Sequence, residues 1–325
     1  MSSRASSWAR EASQAWALLR AANGLGSQVA EAGWRASIAA AGAIARPTPR
    51  RWATSGKERV VVIAPHPDDE VAGCAGTLFA HREAGDPVDA VFVTDGSRSR
   101  ALGFDRAAMA EQREIEARAA ASRIGAQCHW LGFPEGDWAE RDGQSAIERK
   151  LVDLKPTVLY APSSIDFHPE HRRVARVLAT ALEASCSKSE VRIYAIQVPL
   201  TPLLTNMIAD VSSLETSIRL AFRCYPSQRT SLESCFRARR YAAAFYGVNE
   251  LAEGFCAMPA ELYVSLHRRP PAQFRPMAIR PWTDPLALAV GTRERLHWKA
   301  RARSVSAFAP PAARYERRAS RRSLA

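Results

Sequence analysis

The sequence predicts an α/β fold in which a mainly parallel sheet is layered between helices. Two observations carry that expectation. From Val60 onward, short β-branched runs alternate with longer helix-forming stretches, with glycine or proline at several of the boundaries. The first run, Val60-Val-Val-Ile63, is apolar throughout and reads as a buried strand. Such alternation gives parallel strands joined by crossovers, with helices on both sheet faces. Ligands in these sheets sit beyond the carboxyl ends of the strands. The residues that follow each strand therefore matter most.

The elements follow in order. Residues 5–22 and 27–42 are Ala-rich and helix-forming, with a turn signal at Asn23-Gly24-Leu25-Gly26. Trp8, Ala12, Trp16 and Leu19 recur at helical spacing. Three uses are open for this pair: packing on the core or a partner, lying on a membrane as a basic amphipathic helix, or serving as a transit peptide. Ala43 to Gly56, with Pro47, Pro49 and Arg50-Arg51, reads as a linker. After the first strand, Val71 to Ala84 reads as a helix closed by Gly85-Asp86-Pro87. Val88 to Thr94 is a strand, Ala107 to Arg123 a helix closed by Gly125, and Cys128 to Leu131 a short strand. Ala146 to Leu154 is helical and Thr157 to Tyr160 a strand; Pro169 to Ala184 is helical and Val191 to Val198 a strand. Three regions result: a basic helical extension and linker over 1–57, a domain over 58–266, and an extension over 267–325. The last is basic and expected to be disordered from about 291.

Charge separates the same regions. Residues 1–57 hold 8 basic and 2 acidic side chains, 58–290 hold 27 and 29, and 291–325 hold 10 and 2. The formal charge of +12 thus resides in the ends. A nucleic-acid-binding core would concentrate basic charge on itself, so no nucleic-acid partner is expected. Six scattered cysteines without a Cys-x-x-Cys pair argue against a zinc ribbon or disulfide scaffold. They point instead to a reducing compartment, and so to the cytoplasm. No run approaches the roughly 18–20 apolar residues of a membrane span, and the start leads into no secretory signal.

Two polar clusters carry the chemistry. The first strand runs into Pro65-His66-Pro67-Asp68-Asp69-Glu70. Acidic residues in a first helical turn complement the helix dipole, which accounts for one or two carboxylates but not for the histidine. The second cluster, Asp166-Phe-His168-Pro169-Glu170-His171, follows the Thr157–Tyr160 strand. Pro169 suits the first helical position, and histidines three apart there point roughly the same way. Both clusters follow strands of one sheet, and a shared site explains them together. A catalytic zinc takes three His, Asp or Glu ligands and leaves one position open. His66, Asp69 and His171 provide that set. Asp68 is then the candidate general base, and His168 the candidate oxyanion stabiliser.

Those residues resemble the PIG-L/LmbE family of zinc-dependent N-acetylglucosamine deacetylases. The resemblance rests on His66-Pro-Asp-Asp-Glu70 paired with His168-Pro-Glu-His171. It continues through Thr94-Asp-Gly96, Arg113-x-x-Glu116, Leu131-Gly-Phe-Pro-Glu135, Tyr225-Pro-Ser-Gln228 and Ala252-Glu-Gly-Phe255. It spans about residues 58–260 and leaves out the basic ends. Glu170 departs from the family pattern, where Asp is usual.

The resemblance implies a Rossmann-like three-layer fold and a Zn2+ cofactor, with another divalent metal as an option. It implies His66, Asp69 and His171 as ligands, Asp68 as base and His168 as catalytic histidine. The implied reaction is hydrolysis of an N-acetylated amino sugar by zinc-bound water, with the sugar glycoconjugate or glycolipid as partner. A related amide, such as an amino-sugar conjugate of a secondary metabolite, is the alternative.

By the same analogy Arg113 would contact sugar hydroxyls; otherwise it pairs with Glu116 along its helix. Asp166 would orient a ligating histidine; otherwise it caps the helix. Arg98 and Arg100 are weaker substrate candidates, and Trp130 and Trp138 could stack on a sugar or pack in the core. His81, His129, His267 and His297 receive no role. Leu200 to Ile208 could be an acceptor-binding wall or an oligomer contact. The basic ends suggest peripheral contact with an anionic membrane face.

Overall fold

The computed structural model describes residues 48–99, 102–166, 168–196 and 200–267, with scattered positions between 32 and 43 and between 295 and 300. The N-terminal helical pair and Arg100 otherwise lie outside the described residues.

The chain forms β1 (Arg50–Trp52), β2 (Val60–Ala64), α1 (Asp69–Glu83), β3 (Val88–Thr94), α2 (Arg106–Ile124), β4 (Gln127–Phe133), α3 (Glu140–Leu154), β5 (Val158–Ala161), α4 (Pro169–Ala184) and β6 (Glu190–Ile193). There follow α5 (Thr201–Leu204), β7 (Met207–Asp210), α6 (Glu215–Phe222), α7 (Arg229–Tyr246), β8 (Ala252–Pro259) and α8 (Ala260–His267). The sheet order is β1-β7-β8-β6-β5-β2-β3-β4. All neighbours are parallel except β8, which runs antiparallel to both β6 and β7. The expected α/β architecture with a mainly parallel sheet is the one observed.

Strand β2 lies at the centre of the site's geometry. It pairs with β3 on one side and with β5 on the other. The β2–α1–β3 and β5–α4–β6 connections therefore leave the sheet centre in opposite directions, which opens a crevice at the carboxyl ends of β2 and β5. Both motifs follow those two strands. Side chains of β2 alternate between two cores: Val60, Val62 and Ala64 face one, Val61 and Ile63 the other. Helices cover both faces, so the strand is apolar at every position.

Several boundaries move for identifiable reasons. Helix α3 starts at Glu140, earlier than its apolar periodicity indicates, and Glu140 and Asp142 supply the acidic first turn. Strand β6 ends at Ile193, not Val198; there the Tyr194 hydroxyl donates to Ile63 O at 2.7 Å. The segment read as a linker contributes β1, which pairs with Met207–Ala209. Trp52 anchors it, with its ring 4.9 Å from that of His81. Of the basic C-terminal stretch, Trp298 is buried and its ring lies 5.0 Å from His267. Most of 291–325 lies outside the described residues. All six cysteines are free thiols. No helix among the described residues is long and apolar enough to cross a membrane.

At the amino ends of the strands, buried polar groups form a chain. His81 is fully buried, its Nδ1 2.7 Å from Asp86 and its Nε2 3.0 Å from the Tyr160 hydroxyl. Arg192 donates to that hydroxyl at 2.9 Å and to Glu190 at 2.8 Å. This pattern assigns a neutral His81 that donates from Nδ1 and accepts at Nε2. Burial pushes its pKa down to about 4, with Arg192 opposing charge and Asp86 favouring it. Unfolding restores the ordinary value near 6.5, so the unfolded chain binds the extra proton between about pH 6.5 and 4. Stability is then complete above pH 6.5 and falls across that window, by on the order of 3 kcal/mol at most. Urea midpoints at pH 7, 5.5 and 4.5 are expected to drop, and His81→Gln to flatten the decline. An unchanged slope in that variant would rule His81 out as the source.

Candidate metal centre and active site

The loop after β2 is fixed from β3. Thr94 donates its backbone N–H at 3.0 Å and its hydroxyl at 2.8 Å to Pro65 O. The chain then turns through Asp68 with φ of 123°, an unfavourable backbone region for a residue other than glycine. Surrounding bonds hold it there. Asp68 N donates to Glu70 at 3.0 Å, Asp68 O accepts from Ala72 N at 2.8 Å, and its carboxylate accepts from Arg113 at 3.0 Å. Arg113 also donates to Pro67 O. It reaches this position across Gly96, where an added Cβ would sit 2.9 Å from the Arg113 Nε.

Three ligand atoms converge behind this loop. His66 Nδ1 is 3.3 Å from Asp69 Oδ2, His171 Nε2 is 3.2 Å from the same oxygen, and the two ring nitrogens are 3.2 Å apart. The three residues are buried. A tetrahedral zinc with bonds of about 2.0 Å has ligand atoms separated by about 3.3 Å. The triangle thus has the dimensions of one face of a zinc tetrahedron, and its donor types fit that metal.

The second motif supplies the supports. Asp166 Oδ2 lies 3.2 Å from His171 Nδ1, which turns Nε2 toward the triangle. The other Asp166 oxygen accepts from His168 N at 2.8 Å. His168 caps α4: its Nδ1 accepts from Glu170 N at 3.2 Å. That bond leaves the ring's proton on Nε2. His168 also lies within reach of the same centre as His66 and His171. The shorter triangle, however, is closed by Asp69, and the His168 Nδ1 lone pair is taken.

Charge is balanced tightly here. Burial would lower the His66 pKa, but Asp69 and Glu135 outweigh it and raise it to about 9. The same contest, with Asp69 and Asp166, takes His171 well above its usual value. Asp69 stays well below the carboxylate range despite burial, held there by the two histidines. Asp68 is pushed up to about 6 by burial, against the pull of Arg113 and with the push of Asp69. His168 falls to about 3 through burial and the neighbouring His171 and His66. The two imidazoles thus hold protons where a cation would fit.

The site residues expected from sequence are brought together: His66, Asp68, Asp69, Asp166, His168 and His171. Arg113 joins them by a different route. It binds Asp68 rather than Glu116, whose carboxylate accepts from Ser227 and Gln112. Trp138 donates to Glu170 at 3.1 Å, and Trp130 stacks on Phe92 with centroids 4.5 Å apart. Both are packing residues in this arrangement. Glu170 also accepts from Gly136 N, and so ties the loop after β4 to α4.

The sequence places Glu135 at the end of the Leu131–Glu135 segment without assigning it a role. Its carboxylate lies 3.4 Å from His66 Nε2 and accepts from Arg98 N at 3.0 Å. The signal was its position just beyond a third strand. Glu70 ends the first motif, likewise without an assigned role. It is buried and accepts from the Tyr225 hydroxyl, and burial raises its pKa to about 8.

Fold and site together define a Rossmann-like α/β protein with a carboxylate–histidine centre at its sheet switch point. Residues 61–182 match the PIG-L family, GlcNAc-PI de-N-acetylase. Two curated relatives are a probable N-acetyl-alpha-D-glucosaminyl L-malate deacetylase 2 of Bacillus anthracis and a 1D-myo-inositol 2-acetamido-2-deoxy-alpha-D-glucopyranoside deacetylase of Nocardia farcinica. The first is 26% identical over 149 residues, covering 43% of this chain and 66% of the relative. The second is 27% identical over 158 residues, covering 40% and 53%. The match therefore spans between half and two thirds of each relative. Among solved structures, N,N'-diacetylchitobiose deacetylase from Pyrococcus horikoshii aligns with a TM-score of 0.55 at 22% identity, covering 64% of this chain and 86% of that one. GalB, the 4-carboxy-2-hydroxymuconate hydratase of Pseudomonas putida, aligns at 0.54 and 19%, covering 61% and 95%. These structures share the fold; GalB warns that fold alone does not set the reaction.

Metal binding should release protons, because ligating imidazoles must be neutral. Calorimetric titration of Zn2+ into the full chain in two buffers of different ionisation enthalpy should yield one ion per chain and net proton release. His171→Ala should abolish the uptake. Uptake that survives this change would exclude the triangle as the site.

Proposed function

We propose that this protein is a metal-dependent N-deacetylase that hydrolyses the acetamido group of an N-acetylated amino sugar. The observation that carries the reading is the pairing, around one metal-sized triangle, of a carboxylate outside the triangle, Asp68, with a neutral imidazole N–H, His168. His66, Asp69 and His171 would hold the ion, zinc being the first choice from the donor set. When bound, the ion supplies a Lewis acid and an acidified water.

The chain's own groups divide the remaining work. Asp68 takes the proton from the attacking water, held in place by Arg113. Its raised pKa makes it a stronger base than an exposed aspartate while leaving it ionised near neutrality. The water oxygen bonds to the acetyl carbon and the C–N bond breaks. The proton on Asp68 passes to the departing nitrogen, so acetate and a free amine leave. His168 donates its Nε2–H to the carbonyl oxygen as negative charge grows there. Being neutral, it keeps this donor without adding charge beside the cation.

Both curated relatives are named as deacetylases of glucosaminyl conjugates, which supports an amino-sugar substrate. Residues 58–266 are proposed as the catalytic region. The basic ends are proposed to bind an anionic membrane face from the cytoplasm. That attraction is worth about 1 kcal/mol per basic residue near the surface and is screened by salt. Cosedimentation of the full chain with phosphatidylserine vesicles should therefore vanish at high ionic strength; salt-insensitive or absent binding would refute this role.

Acetate release should be assayed over free, nucleotide-linked and lipid-linked N-acetylglucosamine. Asp68→Asn should lower kcat by about 10²–10⁴ with metal retained. His168→Ala should lower it by about 10²–10³. Turnover of an unrelated amide with inertness toward all three sugars would move the reading to the other amide class. Full activity of Asp68→Asn would sink the mechanism.

A further inference from the structure

Helix α1 is not continuous. Cys74 has φ of −151° and ψ of 23°, which divides the helix one turn after the metal-ligand candidate Asp69. A break of this kind frees backbone groups on both sides. In an unbroken helix the N–H groups of Gly76 and Thr77 would donate to residues four back, and Val71 O would accept from Ala75 N.

Here other elements supply the partners. Glu253, on β8, accepts from Gly76 N at 3.0 Å, from Thr77 N at 2.9 Å and from the Thr77 hydroxyl. Arg239, on α7, donates to Val71 O at 3.0 Å. The two residues are themselves paired, with Arg239 Nε 2.8 Å and Nη2 2.7 Å from Glu253. Both are buried. The Cys74 thiol completes the set by donating to Glu70 O at 3.3 Å.

The pair therefore bridges the break: one member holds the end of the first turn, the other the start of the second segment. Ala72 and Gly73 border a cavity of about 90 Å³ that Arg239 and Glu253 also line, and the Tyr194 ring lies against Gly73. The angle between the two segments sets where Asp68 and Asp69 stand relative to His66 and His171. A continuous helix would carry the first turn along its own axis instead.

We infer that Arg239 and Glu253 are positioning residues for the metal centre, acting through the broken helix α1 on Asp69 and Asp68. The inference rests on the reading of His66, Asp69 and His171 as metal ligands.

The test titrates Zn2+ into full-length protein well below its unfolding temperature, for the parent, Glu253→Gln and Arg239→Lys. Glu253→Gln leaves one acceptor oxygen where two served. Arg239→Lys keeps the charge but cannot reach both Glu253 and Val71 O. Each variant is expected to bind one ion per chain at least tenfold more weakly than the parent. The visible spectrum of the Co2+-loaded protein is expected to change in the same variants, since it reports ligand geometry.

A lower unfolding temperature with Zn2+ affinity within twofold of the parent would make the pair merely structural and overturn the inference. Loss of cooperative unfolding in both variants would make it a folding element and overturn it likewise. Failure of the parent itself to bind Zn2+ would instead refute the ligand assignment, and this inference with it.

Discussion

Everything at the active end of this molecule depends on placing two histidines and several carboxylates in a nearly dry crevice. Burial alone penalises each charged form. The arrangement persists because every group finds an opposite or a donor: Asp69 between two imidazoles, Asp166 behind His171, Glu135 behind His66, Arg113 on Asp68. Remove one and its partner is left buried without compensation, which is the costly outcome. The same packing of imidazole and carboxylate donors is what fits a metal cation.

The fold makes this crowding possible. At the switch point between β2 and β5, two connections depart in opposite directions, and their first residues face each other across the crevice. One connection brings His66, Asp68 and Asp69; the other brings Asp166, His168 and His171. The crossover after β4 adds Glu135 from a third direction. No single strand could present this many polar groups without breaking the apolar pattern that buries it.

This explains which parts were legible in the sequence. Val60–Ala64 and Val158–Ala161 read as strands because both faces are covered, so every position is apolar. The polar clusters then stood out by contrast, and so did most of the site. Glu135 did not, because one carboxylate in a loop looks like a solvated charge until His66 is seen beside it. The sheet beyond β6 was illegible for another reason. Strand β8 contains Glu253 and Gly254, both poor strand residues, and its place is set by pairing with β6 and β7. Its glutamate is there for α1, a relation that no local pattern records. Arg50–Trp52 looked like a linker because a three-residue edge strand has too few positions to show a period.

The break in α1 connects these two kinds of feature. A helix that starts directly after a strand tends to continue along the axis its first turn defines. Here the first turn must satisfy two constraints at once. It must hold Asp68 at φ of 123° with its carboxylate on Arg113, and hold Asp69 against both imidazoles. The rest of the helix must lie flat on the sheet, with Gly76 within reach of Val211 and Leu78 in the core. One straight axis serves only one of these. Dividing the helix at Cys74 meets both, and it costs several backbone hydrogen bonds. A buried carboxylate and guanidinium can replace those bonds where apolar side chains could not. The Arg239–Glu253 pair therefore belongs in the core for what it hydrogen-bonds to, beyond any stability the ion pair itself contributes.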